Sequence, residues 1–276
     1  SQGGEVHINR NGEYAYATFV NNDQYAKGVL ALKQSLDSAQ TLYPMIVLVT
    51  EQVSQETVSR LQNLGCITEV APAIQLDSDV SVQVARWLPA FSKFKAWMMT
   101  KYTRIIWLDS DMLIIKNIDH LFSFIDMNEP ETIYATVDAD ATSCQWQPHR
   151  MKLINSGLVV LSPRKEIYDK LIANIKPVSK LQNGVVNDQD VLNYTLQWKA
   201  LNYPEYGVQI THCDCVDPRL WDMDNTHFLH FTAGLQALPK PWQYQPDVGL
   251  GDSVPDCVET HYKTWLYHYN KALERV

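Results

Sequence analysis

No apolar run in this chain approaches the ~18 residues that a membrane span requires; candidates such as Met45-Ile-Val-Leu-Val49 have the length of a strand. Basic residues are also in deficit. Lysine and arginine number 23 against 31 aspartates and glutamates, a net charge of −8. That excludes a broad nucleic-acid footprint, and neither nucleic acid nor membrane is expected as a partner. An anionic ligand must instead be held by a metal ion or a few well-placed cations. Internal repeats and low-complexity linkers are absent. So is a glycine-rich basic loop after the first apolar run, where Val20-Asn-Asn-Asp23 stands instead, which counts against a nucleotidyltransferase. Cysteine is scarce. Cys66, Cys144, Cys213, Cys215 and Cys257 form an odd, scattered set that reads as reduced thiols in a cytoplasmic protein. The sequon Asn193-Tyr-Thr195 points weakly the other way. Residues 1–13, beginning Ser1-Gln-Gly-Gly4, do not look like a signal peptide and read as a flexible amino terminus or a cloning remnant.

What is present is a globular composition, 46% hydrophobic and 20% charged, which excludes disorder, collagen and coiled coil. A chain of 276 residues suits one α/β domain with insertions, here 14–276. Its first half alternates strand and helix patterns. Tyr14–Val20, Met45–Val49, Ile67–Val70 and Arg104–Leu108 read as strands. Between them, Val29, Leu32 and Leu36 mark one helix, capped from Asn21-Asn-Asp23, and Ser54–Leu64 a second that ends at Gly65. A third is expected over Phe91–Lys101. Repeated β-α-β units with apolar strands predict a parallel sheet covered on both faces. The second half is less regular. It offers strands at Tyr134–Val137 and Leu158–Leu161, helices at Pro163–Ile175 and Asp188–Gln197, irregular chain over Gly207–Ala233, and a closing amphipathic helix over Cys257–Leu273.

The chemistry concentrates in Trp107-Leu-Asp109-Ser-Asp111, directly after an apolar strand. A bare Asp-x-Asp elsewhere in a chain is usually a solvated turn. At the carboxyl end of a strand in an open α/β sheet, where ligands bind, two carboxylates at i and i+2 can grip one hard cation such as Mg²⁺ or Mn²⁺. Downstream, His230-Phe-Thr-Ala-Gly234 is followed by Lys240-Pro-Trp242. A neutral imidazole can complete a metal site, and a lysine can pair with a diphosphate. Taken alone, His230 reads as a core histidine and Lys240 as a surface lysine. His212-Cys-Asp-Cys215 offers two thiols and one imidazole but no fourth ligand nearby, and reads as a loop.

Six short segments, in order from about residue 14 to residue 244, resemble the glycogenin-like branch of glycosyltransferase family 8. They are Asn21-Asn-Asp-Gln-Tyr25-Ala-Lys-Gly28, Phe91-Ser-Lys93-Phe-Lys-Ala-Trp97, Leu108-Asp-Ser-Asp111 with Asn117-Ile-Asp-His-Leu-Phe122, Asn155-Ser-Gly157, Asp188-Gln-Asp190 and Lys240-Pro-Trp242. The resemblance implies a GT-A fold, with a Rossmann-like, mostly parallel central sheet in a single domain, and a UDP-sugar donor. It implies that Phe19, Asn21, Asn22 and Tyr25 surround the uracil and ribose, and that Asp109, Asp111 and His230 bind Mn²⁺, with Ser110 between the two aspartates also at the donor. Gly234 and Lys240 would contact the diphosphate. Lys93, Asn155, Asp188 and Gln189 would face the sugar, with Lys93, Asp188 and Gln189 the catalytic set. The family retains anomeric configuration, so the product would be α-linked. A front-face departure and attack suits these residues better than an amide nucleophile.

There are departures from the pattern. Three residues separate His230 from Gly234, Leu235–Pro239 lengthens the loop before Lys240, and His227 stands as an alternative ligand. Val186-Asn187 replaces the Gly-Gly that precedes Asp-Gln in glycogenin, and Val185 replaces an acidic residue. The expectation is transfer of glucose or galactose from UDP to a hydroxyl of a separate acceptor, a glycan on a cytoplasmic protein. Against it stand a self-glucosylating glycogenin, whose acceptor region here offers Tyr203 and Tyr206, and a catalytically silent UDP-sugar-binding scaffold. A homodimer is compatible with the resemblance.

Overall fold

A computed structural model describes residues 13–71, 74, 88–184, 186–232 and 238–276. Strands β1 (Tyr14–Val20), β2 (Met45–Val49), β3 (Ile67–Val70) and β4 (Arg104–Leu108) form a parallel block in the order β3-β2-β1-β4. Helix α1 (Asp23–Ser38) links β1 to β2, and α2 (Gln55–Asn63) links β2 to β3. The Asn22 side chain accepts from the Tyr25 N–H at 3.0 Å and caps α1. Ser54 caps α2, and Gly65, at φ +93°, takes the left-handed turn that follows it. Every residue of β2 is buried, as expected of a strand covered on both faces.

The block continues as a mixed sheet, not a uniformly parallel one. β7 (Ile154–Leu161) runs antiparallel to β4 and to β6 (Ile133–Val137), and β8 (Trp198–Leu201) lies parallel to β6 at the edge. Most strands still point one way, with β7 reversed. Because β7 is reversed, its first residues, Ile154 to Gly157, lie at the edge where β1 and β4 end. The Asp109 N–H donates to the Gly157 carbonyl at 2.9 Å.

The helix expected over Phe91–Lys101 is instead a single helical turn, α3 (Leu88–Phe91), running into a 3₁₀ segment, Ser92–Met98. Phe91, Phe94 and Trp97 are all buried, and their spacing of three is the repeat of a 3₁₀ helix. Helices α4 (Lys165–Leu181) and α5 (Asp188–Thr195) pack together, α4 running past its expected end with Pro177 inside it. A small ladder pairs β5 (Met112–Ile114) with β9 (Phe228–His230), Met112 opposite His230. The last helix, α6 (Asp256–Leu273), lies across α1 and buries Val258, Tyr262 and Trp265 beside Val208, Leu229 and Phe231.

The reading of the cysteines as reduced thiols is overturned. Cys144 pairs with Cys215 and Cys213 with Cys257, across Cα separations of 5.2 and 6.0 Å. Cys66 alone is free and buried, and burial pushes its thiol up to about 12. The paired residues stand 71 and 44 positions apart, so no local spacing announced them. Such pairs belong to oxidising compartments, and the cytoplasmic reading loses the support that reduced thiols gave it. His212 ends a 3₁₀ turn, Ile210–His212, and Cys213-Asp-Cys215 follows as a loop with both thiols consumed by these bridges. No described helix is long and apolar enough to cross a membrane.

Candidate active site

The β4-to-β5 turn carries Asp109, Ser110 and Asp111, and the β5–β9 ladder brings His230 to it. The Phe231 N–H donates to the Asp111 carbonyl at 2.9 Å, which fixes His230 beside the turn. Oxygens of Asp109 and Asp111 and a ring nitrogen of His230 lie within 4.8 Å of one another. Two glycines make this approach sterically open. A Cβ on Gly157 would stand 2.5 Å from the His230 ring, and one on Gly28 2.3 Å from the Ser110 carbonyl oxygen. Lys240 Nζ reaches Asp111 Oδ2 at 2.6 Å. The other oxygen, Oδ1, is buried 3.2 Å from His230 Nε2 yet takes no hydrogen bond among the described residues. A buried, unsatisfied carboxylate oxygen facing an imidazole nitrogen is what a shared cation would satisfy, and two carboxylates with one imidazole suit a divalent ion. The residues present therefore fit a divalent metal.

Charge at this centre is balanced pairwise. Burial pushes Asp111 up, but Lys240 and then His230 outweigh it and hold the carboxyl well below the usual range. Burial raises Asp109 against the pull of Lys93. Burial disfavours the charged form of Lys240, yet Asp111 holds that lysine above its ordinary value.

A second cluster lies beside the first. Lys93 Nζ donates to Asp188 Oδ2 at 2.6 Å and to the Ser156 carbonyl at 2.7 Å, and stands 3.1 Å from Asp109 Oδ1. Burial opposes its charge, but Asp109 and Asp188 prevail and raise it. The Trp107 indole N–H holds Asp109 Oδ1 at 2.9 Å. Both clusters open onto one cleft of about 320 Å³, lined by Phe19, Asn21, Tyr25, Lys93, Asp109 and Asp188 among others.

The Glycosyl transferase family 8 profile matches residues 17–246, most of the chain. The chain belongs to glycosyltransferase family 8. It is 30% identical over 243 residues to galactinol synthase 1 of Solanum lycopersicum, covering 83% of this chain and 74% of that one. It is 34% identical over 185 residues to a putative UDP-glucuronate:xylan alpha-glucuronosyltransferase 3 of Arabidopsis thaliana, covering 67% of this chain and 26% of that one. Among solved structures it resembles the galactosyltransferase LgtC in complex with donor and acceptor sugar analogs, at a TM-score of 0.62 and 15% identity, over 93% of this chain and 95% of that one. The fold is thus the GT-A fold of family 8 glycosyltransferases.

Most residues that the family 8 motifs nominate meet at this edge of the sheet. Phe19, Asn21, Tyr25, Lys93, Asp109, Ser110, Asp111 and Asp188 line the cleft. His230 and Lys240 close on it through Asp111. Asn22 does something else: its side-chain oxygen caps α1. Asn155 Oδ1 accepts from the Gly157 N–H at 3.0 Å, and Gln189 Oε1 accepts from the Ser156 N–H at 3.2 Å. Gly234 lies outside the described residues. His227 is not a ligand alternative here. Its ring stacks on Tyr206 at 4.7 Å and lies 5.5 Å from His120, away from the two aspartates.

Some contributors went unnoticed in the sequence. Asp138 pairs with Arg150 at 3.0 Å, and Asn155 and Gln189 also bond to its carboxyl, which burial nonetheless raises. Trp242 packs on Tyr25 at 4.8 Å. Only the motif around Trp242 carried a signal. Nothing near Asp138 or Arg150 distinguished them from surface charges.

Proposed function

We propose that this family 8 enzyme is a Mn²⁺-dependent, retaining glycosyltransferase that moves glucose or galactose from a UDP-sugar to a hydroxyl of a separate glycan acceptor. The observation that carries this is the Asp109–Asp111–His230 cluster with Lys240 against it, beside a cleft that Asp109 and Asp111 line together with the aromatic rings of Phe19 and Tyr25. Tyr25, supported by Trp242, offers a face for a uracil, and Phe19 and Asn21 stand beside it. A divalent ion in the cluster would neutralise the diphosphate and make it a competent leaving group. Lys240 supplies a second positive charge at the same point, where charge develops as the glycosidic bond breaks. Asp188 and Lys93 face the sugar end and orient it. With the acceptor hydroxyl held on the face from which the phosphate departs, placement lowers the entropic part of the barrier without a strong base. The xylan relative is named for a UDP donor and an α-linkage, and LgtC is named a galactosyltransferase, both of which support this reading.

A glycogenin would present an accessible tyrosine. Here Tyr203 is buried with its hydroxyl 2.7 Å from His212 Nδ1, and Tyr206 is buried with its hydroxyl on His120. That favours the separate acceptor. The two disulfides favour an oxidising compartment for the reaction. The test is UDP release from a panel of UDP-sugars. Release from UDP-glucose or UDP-galactose in Mn²⁺ supports the proposal, and release from neither refutes that donor assignment.

A further inference from the structure

Ser156 is a small buried residue at the start of β7, and three groups of the sugar end converge on it. Its hydroxyl lies 3.0 Å from Lys93 Nζ and 2.7 Å from Asp188 Oδ2. Its carbonyl accepts from Lys93 at 2.7 Å, and its N–H donates to Gln189 Oε1 at 3.2 Å. The polarity of this network is set by chemistry. An ammonium only donates, so the hydroxyl must accept from Lys93, and its one hydrogen goes to Asp188 Oδ2. That carboxylate oxygen already receives Lys93 directly at 2.6 Å. It is therefore held by two donors, both charge-assisted.

Two consequences follow. Lys93 has three N–H bonds and four oxygen neighbours: the Ser156 carbonyl, the Ser156 hydroxyl, Asp188 Oδ2 and Asp109 Oδ1. Its donors are committed to protein, so it acts on substrate through its charge and its grip on the two aspartates. Similarly, Gln189 Oε1 accepts from a backbone N–H and its amide NH₂ serves the Asp138 carboxyl, which withdraws the oxygen from attack on the anomeric carbon.

We infer that Ser156 is a positioning residue that fixes Lys93, Asp188 and Gln189 in the geometry required for sugar transfer, with its hydroxyl aligning Asp188 on Lys93. The inference rests on the proposed transfer reaction and deepens it at the sugar end. The Ser156 hydroxyl bonds to Lys93 and Asp188 and to none of Asp109, Asp111 or His230, so its loss is expected at the sugar step and not in nucleotide capture.

The variants are Ser156→Ala, which removes the hydroxyl, and Ser156→Thr, which restores it. Alanine is expected to lower kcat for transfer about 10- to 100-fold, the scale of losing a hydrogen bond to a charged group. The Kd for UDP in Mn²⁺ should stay within about twofold of wild type, and threonine should recover most of kcat. Unchanged kcat in Ser156→Ala overturns the inference. So does an equal loss of kcat and UDP affinity in both variants, which is the mark of a merely structural role. If the wild-type protein uses no UDP-sugar, the transfer reading fails separately. Crystal structures of Ser156→Ala and wild type then decide the positioning role. A carboxylate of Asp188 that turns away from Lys93 in the variant supports it, and one that keeps the 2.6 Å contact overturns it.

Discussion

Lys240 and His230 stand at different oxygens of the Asp111 carboxylate: Lys240 Nζ binds Oδ2 at 2.6 Å, and His230 Nε2 faces Oδ1 at 3.2 Å. Lys240 comes from the carboxyl-terminal signature and His230 from β9, so the centre exists only once the β5–β9 ladder has formed. The pairing also divides the labour. One carboxylate oxygen is neutralised by protein, and the other is left for a cation.

Replacing Lys240 by alanine should therefore do two things at once. In the proposed reaction it removes a positive charge from the diphosphate, and it leaves Asp111 without its ammonium. Turnover should fall about 100-fold, the scale of one lost electrostatic stabiliser. Lys240→Arg should retain more activity than Lys240→Ala, because it keeps the charge. Steady-state kinetics of the two variants against wild type is the check, and equal activity of Lys240→Ala and wild type contradicts the assigned role.

The cysteine pairing has a direct chemical readout. Alkylation of denatured, unreduced protein should label one thiol, Cys66, and alkylation after reduction should label five. Cys213→Ala with Cys257→Ala should cost about 2–5 kcal/mol of stability, the usual effect of losing a native disulfide. Intact-mass spectrometry and denaturant unfolding measure the two effects.

His261, on α6, is buried against Trp221, and its Nε2 has no hydrogen-bond partner among the described residues. Burial lowers its pKa to about 4. Above the unfolded value of about 6.5 neither state holds the proton, and the histidine contributes no pH dependence. As pH falls from about 6.5 towards 4, the unfolded chain binds a proton that the folded one refuses, and stability is lost. The loss should approach about 3 kcal/mol by pH 4. Unfolding free energies of wild type and His261→Phe, measured from pH 7 to 4, should diverge by about that amount; parallel curves would show that His261 does not titrate this way.

The burial of Tyr203 and Tyr206 predicts little self-glycosylation. Burial, with the Glu205 carboxylate beside it, pushes the Tyr206 hydroxyl up to about 12, and it is engaged by His120. Incubation with UDP-glucose, and separately UDP-galactose, should leave the intact mass unchanged. Stepwise hexose addition that is abolished by Tyr203→Phe or Tyr206→Phe would restore the glycogenin alternative.

Much of this was legible in the residues. β1, β2 and β4 stand where their apolar runs lie and β3 at its short β-branched stretch, and Asn22, Ser54 and Gly65 punctuate the helices as their chemistry predicts. The Asp109–Asp111 turn sits at a strand end because an apolar strand precedes it. The direction of β7 was not legible, because an apolar strand reads the same forwards or backwards and only its partners decide. Ser156 was hidden for that reason: its place beside Lys93 and Asp188 depends on the reversal. The 3₁₀ segment at Ser92–Met98 followed from a spacing of three that a helical pattern also admits. The disulfides depended on folding to bring distant positions together. Asn193, in the sequon, is half-buried and engaged: its side chain accepts from the Ile154 N–H and donates to the Gln189 carbonyl.

The central claim is that Asp109, Asp111 and His230 hold a divalent ion that captures a nucleoside diphosphate. Calorimetric titration of UDP into the protein, in Mn²⁺ and then in excess chelator, tests it most directly, with the Asp109→Ala, Asp111→Ala double variant alongside. Tight binding in Mn²⁺ should weaken by at least about 100-fold in chelator, where the diphosphate meets buried carboxylates without the cation, and in the variant, which has lost two of the cation's ligands. UDP affinity that is the same in all three conditions would contradict the account.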